Sequence, residues 1–356
     1  MKIVGIGMVC SAGQGIAGFE KALLRGWKEP GTVATPHIPG GAYPAYLVDF
    51  PNLPDKTLLK KIRRSDAVSK MSVLAAADAL ADSGIRDITQ KKLGIILATA
   101  YGPHVTTFNF LDDILDHGDA AVSPTTFSNS VHNAAASYIA MSLQIKGPTL
   151  TITQFQFSFQ SGLQLAQAWL DQGRCDYALV GAVDQYGDVL GYVADHKLTT
   201  AKDGKIRPFT FKPTCQVPGE GAAFFLLSNQ NDGNAYCSVN AVHTNADSDQ
   251  DQSVDMNIID ADGMMPDESA YLPSLSPDIP TAAYSPLFGT MMVGSAFNMA
   301  AGALMLKQQK SYATPVPDNP HHLRLLSDTA DAALARIRCI GYNCYAERSV
   351  IYLMKL

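Results

Sequence analysis

Buried strands and amphipathic helices alternate along residues 1–230. Apolar runs such as "KIVGIGMV" and "KLGIILATA" predict strands covered on both faces, while "SDAVSKMSVLAAADALADSG" spaces its apolar residues as a helix does and stops at Gly84. The stretch "TLTITQ" predicts a strand that leads into the helix "SGLQLAQAWLDQG", and "YALVGAV" and "GAAFFLLS" predict two more strands. This alternation predicts an α/β fold with helices packed on buried sheets.

A shorter set of the same signals fills residues 231–356. "AYCSVNAVHT" and "MNIIDA" predict strands, "SAFNMAAGALMLKQQ" predicts a helix, and "IRCIGYN" with "SVIYLM" predicts a terminal strand pair. The repeat is one of pattern and not of residues. We therefore predict two similar α/β halves, 1–230 and 231–356, of which the second is shortened.

The amino-acid composition argues against several classes of protein. The 356 residues are 47% hydrophobic and 17% charged, which favours a large packed core over disorder. The net charge of −6 argues against nucleic acid or an anionic membrane as the main partner. No run of 18 apolar residues predicts a membrane span, and the apolar N-terminus is broken early by Gly5 and Gly7, as in a buried strand. We therefore expect a cytoplasmic protein.

Cysteine and acidic residues give no sign of a metal site. The six cysteines form no C-x-x-C pair and lie in apolar segments, which favours buried free thiols over disulfides or zinc. The acidic stretch 247–255 lacks the glycine and glutamate that an EF-hand needs at its sixth and twelfth positions, where Gln252 and Ile258 stand. A solvated loop is the better interpretation, and we expect no metal ion.

One junction is unusual. The strand "TLTITQ" runs through "FQFSFQ" into a helix, and such strand-to-helix turns are where many α/β enzymes carry a nucleophile. Gln156 stands at the turn, but an amide is not a nucleophile.

Five segments, in order, resemble the β-ketoacyl synthases of the thiolase fold. They are "GIGMVCSAG" (5–13), "NAAASYIAMSLQIKGPTLT" (133–151), "RPFTFKPTCQVPGEGAAFFLL" (207–227), "SAFNMAAGALMLKQQ" and "CIGYNCYAERSVI". The resemblance spans nearly the whole chain and implies two α/β halves in an α-β-α-β-α layered fold. It implies no cofactor.

The resemblance also implies a catalytic set that this chain lacks. The family carries its acyl chain on a thiolate at a helix N-terminus and uses two histidines with backbone N–H groups during Claisen condensation. The thiol position corresponds to Gln156 and the first histidine to Asp262. The second histidine corresponds to Gly289 or Thr290. No active catalytic residue is therefore expected.

Three functions fit these changes. We favour a chain-length-factor type subunit that pairs with a cysteine-bearing β-ketoacyl synthase and shapes its acyl tunnel, in a type II polyketide or aryl polyene pathway. Carrier protein would then be met mainly through the partner. A glutamine-type malonyl-carrier-protein decarboxylase is the enzymatic alternative, although Asp262 would place negative charge near its developing oxyanion. A homodimeric acyl-binding scaffold is the third.

The resemblance suggests further sites, each with a plainer alternative. Acyl-tunnel candidates are Thr107, Phe108, Phe110, Leu111, Phe155 and Phe157. Core filling is the better interpretation of Phe155 and Phe157, and an apolar helix that packs across the dimer fits the other four equally well. Dimer-interface candidates are Asn133, Ala134, Ala135, Ala136, Tyr138, Thr151, Ile152 and Thr153. Carrier-protein docking candidates, in a run that is more often a solvated helix start, are Lys60, Lys61, Arg63 and Arg64.

Overall fold

The computed structural model describes residues 1–34, 41–230, 234–244 and 253–356. The acidic stretch 247–255, predicted to be a solvated loop, lies largely outside the described residues. The elements up to residue 230 are β1 (Lys2–Cys10), β2 (Gly13–Gln14), α1 (Ile16–Arg25), β3 (Gly31–Ala34), β4 (Ala42–Ala45), α2 (Lys56–Lys61), α3 (Ala67–Asp82), β5 (Leu93–Thr99), α4 (His104–His117), α5 (Pro124–Asn129), α6 (Ala134–Leu143), β6 (Thr149–Thr153), α7 (Ser158–Asp171), β7 (Tyr177–Asp184), α8 (Asp188–Lys197) and β8 (Gly221–Ser228). Those after it are β9 (Cys237–Thr244), β10 (Met256–Ile259), β11 (Thr281–Ala282), α9 (Gly294–Gln308), β12 (Lys310–Ser311), β13 (Ala330–Asp331), β14 (Arg336–Tyr342) and β15 (Arg348–Met354).

The two halves repeat one sheet topology. When the five main strands of each half are numbered by appearance, they lie in the order third, second, fourth, fifth, first: β6-β5-β7-β8-β1 and β11-β10-β14-β15-β9. In both halves the first three strands of this order are parallel and the last two pair antiparallel. The half-sheets join where Lys2 and Ile3 pair with Ser238 and Cys237. The predicted α/β fold with two similar halves is confirmed.

Helices α7 and α9 form the layer between the half-sheets. Every residue of α9 from Gly294 to Leu306 is buried, as expected of a helix that is enclosed on all sides. Gly162 of α7 brings the helix close to Val180, and Gly302 of α9 brings it within contact of Leu353. The largest apolar cluster contains both helices and strands of both halves. The cores of the two halves are therefore continuous.

The outer layers differ. Helix α3 covers the first half-sheet, where Gly7 permits an approach so close that a Cβ would lie 2.0 Å from the carbonyl oxygen of Ala75. On the second half-sheet, a described 3₁₀ segment, Ser269–Ser274, and the loop that carries Phe209 and Phe211 pack instead. This cover agrees with a shortened second half. The predicted boundary at 230/231 falls between β8 and β9 and stays a prediction.

Strand β6 is an edge strand. Among the described strands it pairs only with β5, while its own Leu150 is 43% exposed and Met141 of α6 is 66% exposed. Unpaired sheet edges with apolar surroundings are sites of strand pairing with another chain.

Part of the predicted dimer interface is already buried inside the chain. Ala134, Ala135 and Ala136 are at most 6% exposed, and α6 packs on α3 through this alanine-rich face. Tyr138 donates to Asn129 Oδ1 at 3.0 Å within the chain. The three alanines cannot give contact area to a partner because their small side chains serve helix packing. The exposed residues of the predicted set are Asn133 and Thr153, while Thr151 and Ile152 are half-buried.

No helix within the described ranges is long and apolar enough to cross a membrane.

Candidate functional site

Strand β6 ends in a sharp turn before α7. The Gln154 N–H donates to the carbonyl of Thr99 at 3.1 Å, Phe157 takes a left-handed φ of 59°, and α7 begins at Ser158. A bulky residue with positive φ is uncommon and concentrates at functional turns. The predicted strand–turn–helix is confirmed, with Gln156 at its apex.

A cavity of about 630 Å³ opens at this turn. Its wall is mostly apolar with a few polar groups, as in ligand sites generally. The apolar side chains include Phe157, Leu198, Met264, Met265, Phe288, Met291 and Met292. The polar ones include Gln156, Asp260, Asp262, Glu268, Asn298 and Cys344. No histidine is among the described lining residues.

Gln156 contacts a thiol from the other half. Its Nε2 donates to Cys344 Sγ at 2.8 Å, and Cys344 lies in the turn between β14 and β15. The expectation of buried thiols holds for Cys10, Cys175, Cys237 and Cys339. It is wrong for Cys344, which is exposed because its hairpin turn projects beyond the sheet; Cys215 is intermediate.

Three carboxyl groups meet on the cavity wall. Glu268 Oε1 accepts the backbone N–H groups of Asp262, at 3.3 Å, and Gly263, at 3.0 Å. Asp262 Oδ1 accepts the N–H of Met264 at 3.0 Å, the local backbone bond expected of a loop aspartate. Asp260 stands two residues earlier, at the end of β10.

Burial holds these acids closer to neutrality than usual. Burial raises the pKa of Asp260 to about 7, with the Asn298 amide opposing and the Asp262 charge adding to the shift. Burial likewise raises the pKa of Asp262 to about 7, against hydrogen bonds from the backbone of Met264 and Met291. The pKa of Glu268 lies well above its ordinary value, first through burial and then through the charge of Asp262. Near neutral pH the cluster therefore keeps part of its protons.

Asn298 presents an unused acceptor. Its Nδ2 donates to Asp260 Oδ1 at 2.6 Å, while its Oδ1 has no hydrogen-bond partner although the side chain is 1% exposed. Buried polar atoms are rarely left unpaired in a native protein. A bound molecule with a hydrogen-bond donor would satisfy this oxygen.

The residues at the predicted second histidine position face away from the cavity. Thr290 Oγ1 donates to the carbonyl of Asp262 at 2.6 Å and accepts the N–H of Val217 at 3.2 Å. Gly289, with a φ of 91°, packs against Gly219 so tightly that a Cβ would lie 2.8 Å from its Cα. From this loop it is Met291 and Met292 that line the cavity.

The first two thirds of the sequence match a known protein family. The family model described as "Beta-ketoacyl synthase, N-terminal domain" matches residues 1–233. The chain belongs to the β-ketoacyl synthase family. It is 23% identical over 236 residues to 3-oxoacyl-[acyl-carrier-protein] synthase 2 of Coxiella burnetii, covering 63% of this chain and 56% of that protein. It is 24% identical over 232 residues to nodulation protein E of Rhizobium meliloti, covering 64% and 57%. The chain thus spans a little over half the length of these relatives.

Solved structures agree on the fold over the full chain. A β-ketoacyl synthase from Burkholderia phymatum superposes with a TM-score of 0.82 at 16% identity, covering 100% of both chains. The ishigamide ketosynthase/chain length factor gives 0.80 at 15% identity, covering 100% of this chain and 98% of that one. A type II polyketide ketosynthase, solved in complex with its acyl carrier protein, gives 0.77 at 16%, covering 100% and 99%. The thiolase-like β-ketoacyl synthase fold is confirmed.

Three of the acyl-tunnel candidates that the sequence of this β-ketoacyl synthase family member predicts line one of two cavities. Phe157 lines the first, whereas Phe108 and Phe155 line a second of about 420 Å³, beside the end of β6. Phe155 is 63% exposed and packs edge-on against Tyr101 at 5.7 Å between ring centroids.

The other tunnel candidates do not line either cavity. Thr107 Oγ1 donates to the carbonyl oxygens of Pro103 and Ser130 at 3.1 and 3.2 Å. Phe110 packs on Phe127 at 5.5 Å between centroids, and Leu111 is 45% exposed. Their role in a tunnel stays a prediction.

The basic residues at 60–64 are exposed to solvent, as a docking surface requires. Lys60, Lys61, Arg63 and Arg64 are all exposed at the end of α2 and just after it, and no ion pair engages them among the described residues. This arrangement is open to an acidic carrier protein and equally to solvent. Within the same described ranges, no cluster of three or more metal-ligating side chains is arranged to hold a metal ion.

Four of the polar residues that line the first cavity are not among the site residues that the sequence predicts. Asp260 and Asn298 were visible only as parts of a strand and a helix, and Glu268 and Cys344 only as loop residues. One signal was available: Asp260 and Asp262 stand two residues apart at the end of a buried strand, where an acidic pair needs a reason. The contact between Gln156 and Cys344 had no local signal, because 188 positions separate the residues.

Proposed function

We propose that this chain is a chain-length-factor type subunit, non-catalytic in Claisen condensation, that pairs with a cysteine-bearing β-ketoacyl synthase and shapes its acyl tunnel. The observation that carries the proposal is the chemistry of the cavity. It holds an amide at the family's thiol position, the carboxyl group of Asp262 at the first histidine position, and no imidazole among its described lining residues. Condensation and decarboxylation both develop negative charge on an oxygen, and removal of one stabilising donor costs about 3 kcal/mol. The ionised fraction of these carboxyl groups would repel that charge, and no lysine, arginine or histidine among the described lining residues is present to stabilise it.

The pairing is supported by the surface around β6. Most of the large exposed apolar side chains of the described chain belong to residues 108–193, the segment that includes this edge. They are Phe108, Leu111, Leu115, Phe127, Val131, Met141, Leu150, Phe155, Val189, Tyr192 and Val193. An apolar surface of this kind beside an unpaired strand favours a permanent partner. The similar ishigamide structure is that of a ketosynthase/chain length factor, which is consistent with such a pair.

The tunnel role is supported by the second cavity. Its walls include Phe108, Phe155, Val189 and Leu190 beside Thr153 at the end of the β6 edge, so a chain crossing the interface would enter it. An aryl polyene or type II polyketide product would suit an apolar groove of this kind. Carrier protein would contact the partner first, with the basic run at 60–64 as a secondary contact.

Co-expression with a cysteine-bearing β-ketoacyl synthase tests the proposal. We expect a stable 1:1 complex in size-exclusion chromatography and a carrier-protein elongation activity that neither chain has alone. A homodimer that ignores the partner would contradict the proposal and favour an acyl-binding scaffold. CO₂ released from malonyl-carrier protein by the chain alone, and lost in Gln156→Ala, would favour the decarboxylase.

The tunnel is tested with Val189→Trp. The added indole should fill the second cavity and shorten the products of the complex by at least one two-carbon unit, as measured by mass spectrometry of the released chains. Val189 is 42% exposed, so the change leaves the core intact. Thr107→Trp would also probe the tunnel, but it removes two hydrogen bonds to backbone carbonyls as well.

Leu24→Trp is the matched control for the tunnel variant. Leu24 is 49% exposed on α1, lies outside the apolar surface of residues 108–193, and lines neither cavity. Both variants should elute as complexes. Unchanged product length in an intact Val189→Trp complex would remove the second cavity from the acyl path.

A further inference from the structure

The first cavity holds a thiol, although not at the family's position. Cys344 Sγ lies 2.8 Å from Gln156 Nε2, so a sulfur atom remains within one hydrogen bond of the side chain that replaces the family cysteine. It comes from the other half of the chain, on the turn between β14 and β15. The amide N–H of Gln156 can stabilise a thiolate at this point.

The turn that carries Cys344 is held in one shape. Asn343 is 6% exposed, and its Oδ1 accepts the N–H groups of Tyr345 at 3.0 Å and Glu347 at 2.9 Å. Its Nδ2 donates to Glu347 Oε2 at 2.6 Å. Ala346 completes the turn with a left-handed φ of 58°. The thiol is therefore both exposed to a reagent and fixed at the cavity mouth.

A second feature of the cavity independently indicates a ligand. Asn298 Oδ1 is buried and unpartnered on the cavity wall, so it lacks a donor that an occupant would provide. The cavity that both residues line is rich in methionine, with Met264, Met291 and Met292. Flexible thioether side chains adapt to apolar chains of differing shape. The occupant that fits is an apolar chain carrying a polar donor group.

We propose that Cys344 accepts an acyl group from an acyl thioester and holds it in the first cavity. The Cys344 sulfur forms a bond to the thioester carbonyl carbon, and the bond from that carbon to the donor's sulfur breaks. The proton lost by Cys344 is taken up by the departing thiolate, so the exchange needs no oxidant and no further reactant. No carbon–carbon bond formation follows, since the cavity has no imidazole among its described walls. This activity goes beyond the proposed partnership and belongs to the chain alone.

Intact-protein mass spectrometry of the full chain tests this directly. The probes are the octanoyl and acetyl thioesters of N-acetylcysteamine, with peptide mapping to find the acylated residue. We expect one octanoyl adduct at Cys344, formed roughly tenfold or more faster than the acetyl adduct because the longer chain buries several more CH₂ groups. Cys344→Ser should remove the adduct, and Gln156→Leu should slow its formation about tenfold through loss of the thiolate's hydrogen bond.

Cys215→Ser is the matched control, since Cys215 is the other cysteine that is not fully buried. It should acylate as the wild type does. Three results would overturn the proposal: the adduct on Cys215, equal rates for octanoyl and acetyl donors, or equal rates for the folded and the urea-unfolded chain. No β-ketoacyl synthase is present in this assay, so its outcome is independent of whether the heterodimer forms.

Discussion

Replacing Thr151 with proline should dissociate the complex with the β-ketoacyl synthase while leaving this chain folded. Along β6 the Ile95 N–H donates to Pro148 and the Gln154 N–H donates to Thr99, so the even-numbered residues face β5. Successive residues of a strand point their backbone groups in opposite directions. The N–H of Thr151 therefore points outward, where a partner strand would accept it. Proline removes this donor and places its ring at the edge.

The expected loss is large because the partner's carbonyl is also left unpaired. The loss of one hydrogen bond between the strands, with a carbonyl acceptor left unpaired, costs of the order of 2–4 kcal/mol, or roughly 30- to 1000-fold in Kd. Analytical ultracentrifugation or surface binding at several concentrations would measure it. The fold should survive because proline is tolerated on an edge strand whose N–H does not enter the sheet.

Thr151→Val is the matched control. It keeps the backbone donor and removes only Oγ1, a buried oxygen that has no partner within the chain. We expect wild-type pairing from this variant. If Thr151→Pro pairs as tightly as Thr151→Val, then β6 is not the interface and the apolar surface around it must serve another purpose.

Asp262→Asn should stabilise the protein at pH 8 and have little effect at pH 4.5. Burial raises the pKa of Asp262 to about 7, whereas the unfolded chain titrates this group near 3.9. Between those values the folded state binds more protons than the unfolded state, so the free energy of unfolding falls as pH rises. Asparagine never ionises and can keep the bond from the Met264 N–H. The expected gain at pH 8 is of the order of 2–4 kcal/mol, or roughly 3–6 °C in Tm.

Asp267→Asn is the control for this experiment. Asp267 also borders the cavity, but it is exposed and its Oδ2 lies 2.6 Å from Lys212 Nζ, so the hydrogen bond from Lys212 holds its pKa below the usual range. The pKa shift of Asp267 is opposite in sign to that of Asp262, so replacing Asp267 should bring no gain in the free energy of unfolding at pH 8. Thermal unfolding at pH 4.5 and pH 8 compares the two variants. Equal Tm shifts for Asp262→Asn at both pH values would show that this carboxyl group is not held neutral in the folded chain.

The elements of the fold were largely predictable because their signals are local. The all-apolar runs of β5, β7 and β8 can be buried only as central strands, and the apolar spacing of α3 together with Gly84 marks a helix and its end. The turn at Gln156 was equally visible, since a β-branched strand there meets an amphipathic helix without a linker. These features depend on neighbours within a few residues.

The environment of the site was less predictable. A helix with three successive alanines can pack inside a chain or across a dimer, and only the position of α3 shows that Ala134, Ala135 and Ala136 are internal. Gly289 and Thr290 were sensible candidates by position, yet the turn directs Thr290 to backbone groups and leaves Met291 and Met292 on the wall. A shift of one or two residues in a loop changes which side chain faces a cavity.

The sequence by itself determined the two-half α/β architecture, since this depends on the order of local patterns along the chain. Through the family resemblance it also predicts that Gln156 and Asp262 stand at the positions of the thiol and the first histidine. The tertiary structure alone decided what occupies the site. Glu268 and Asn298 reach Asp260 and Asp262 from separate elements, and Cys344 reaches Gln156 from the other half. The physical reason is that the two half-sheets close around α7 and α9, and this closure brings together side chains that no local pattern relates.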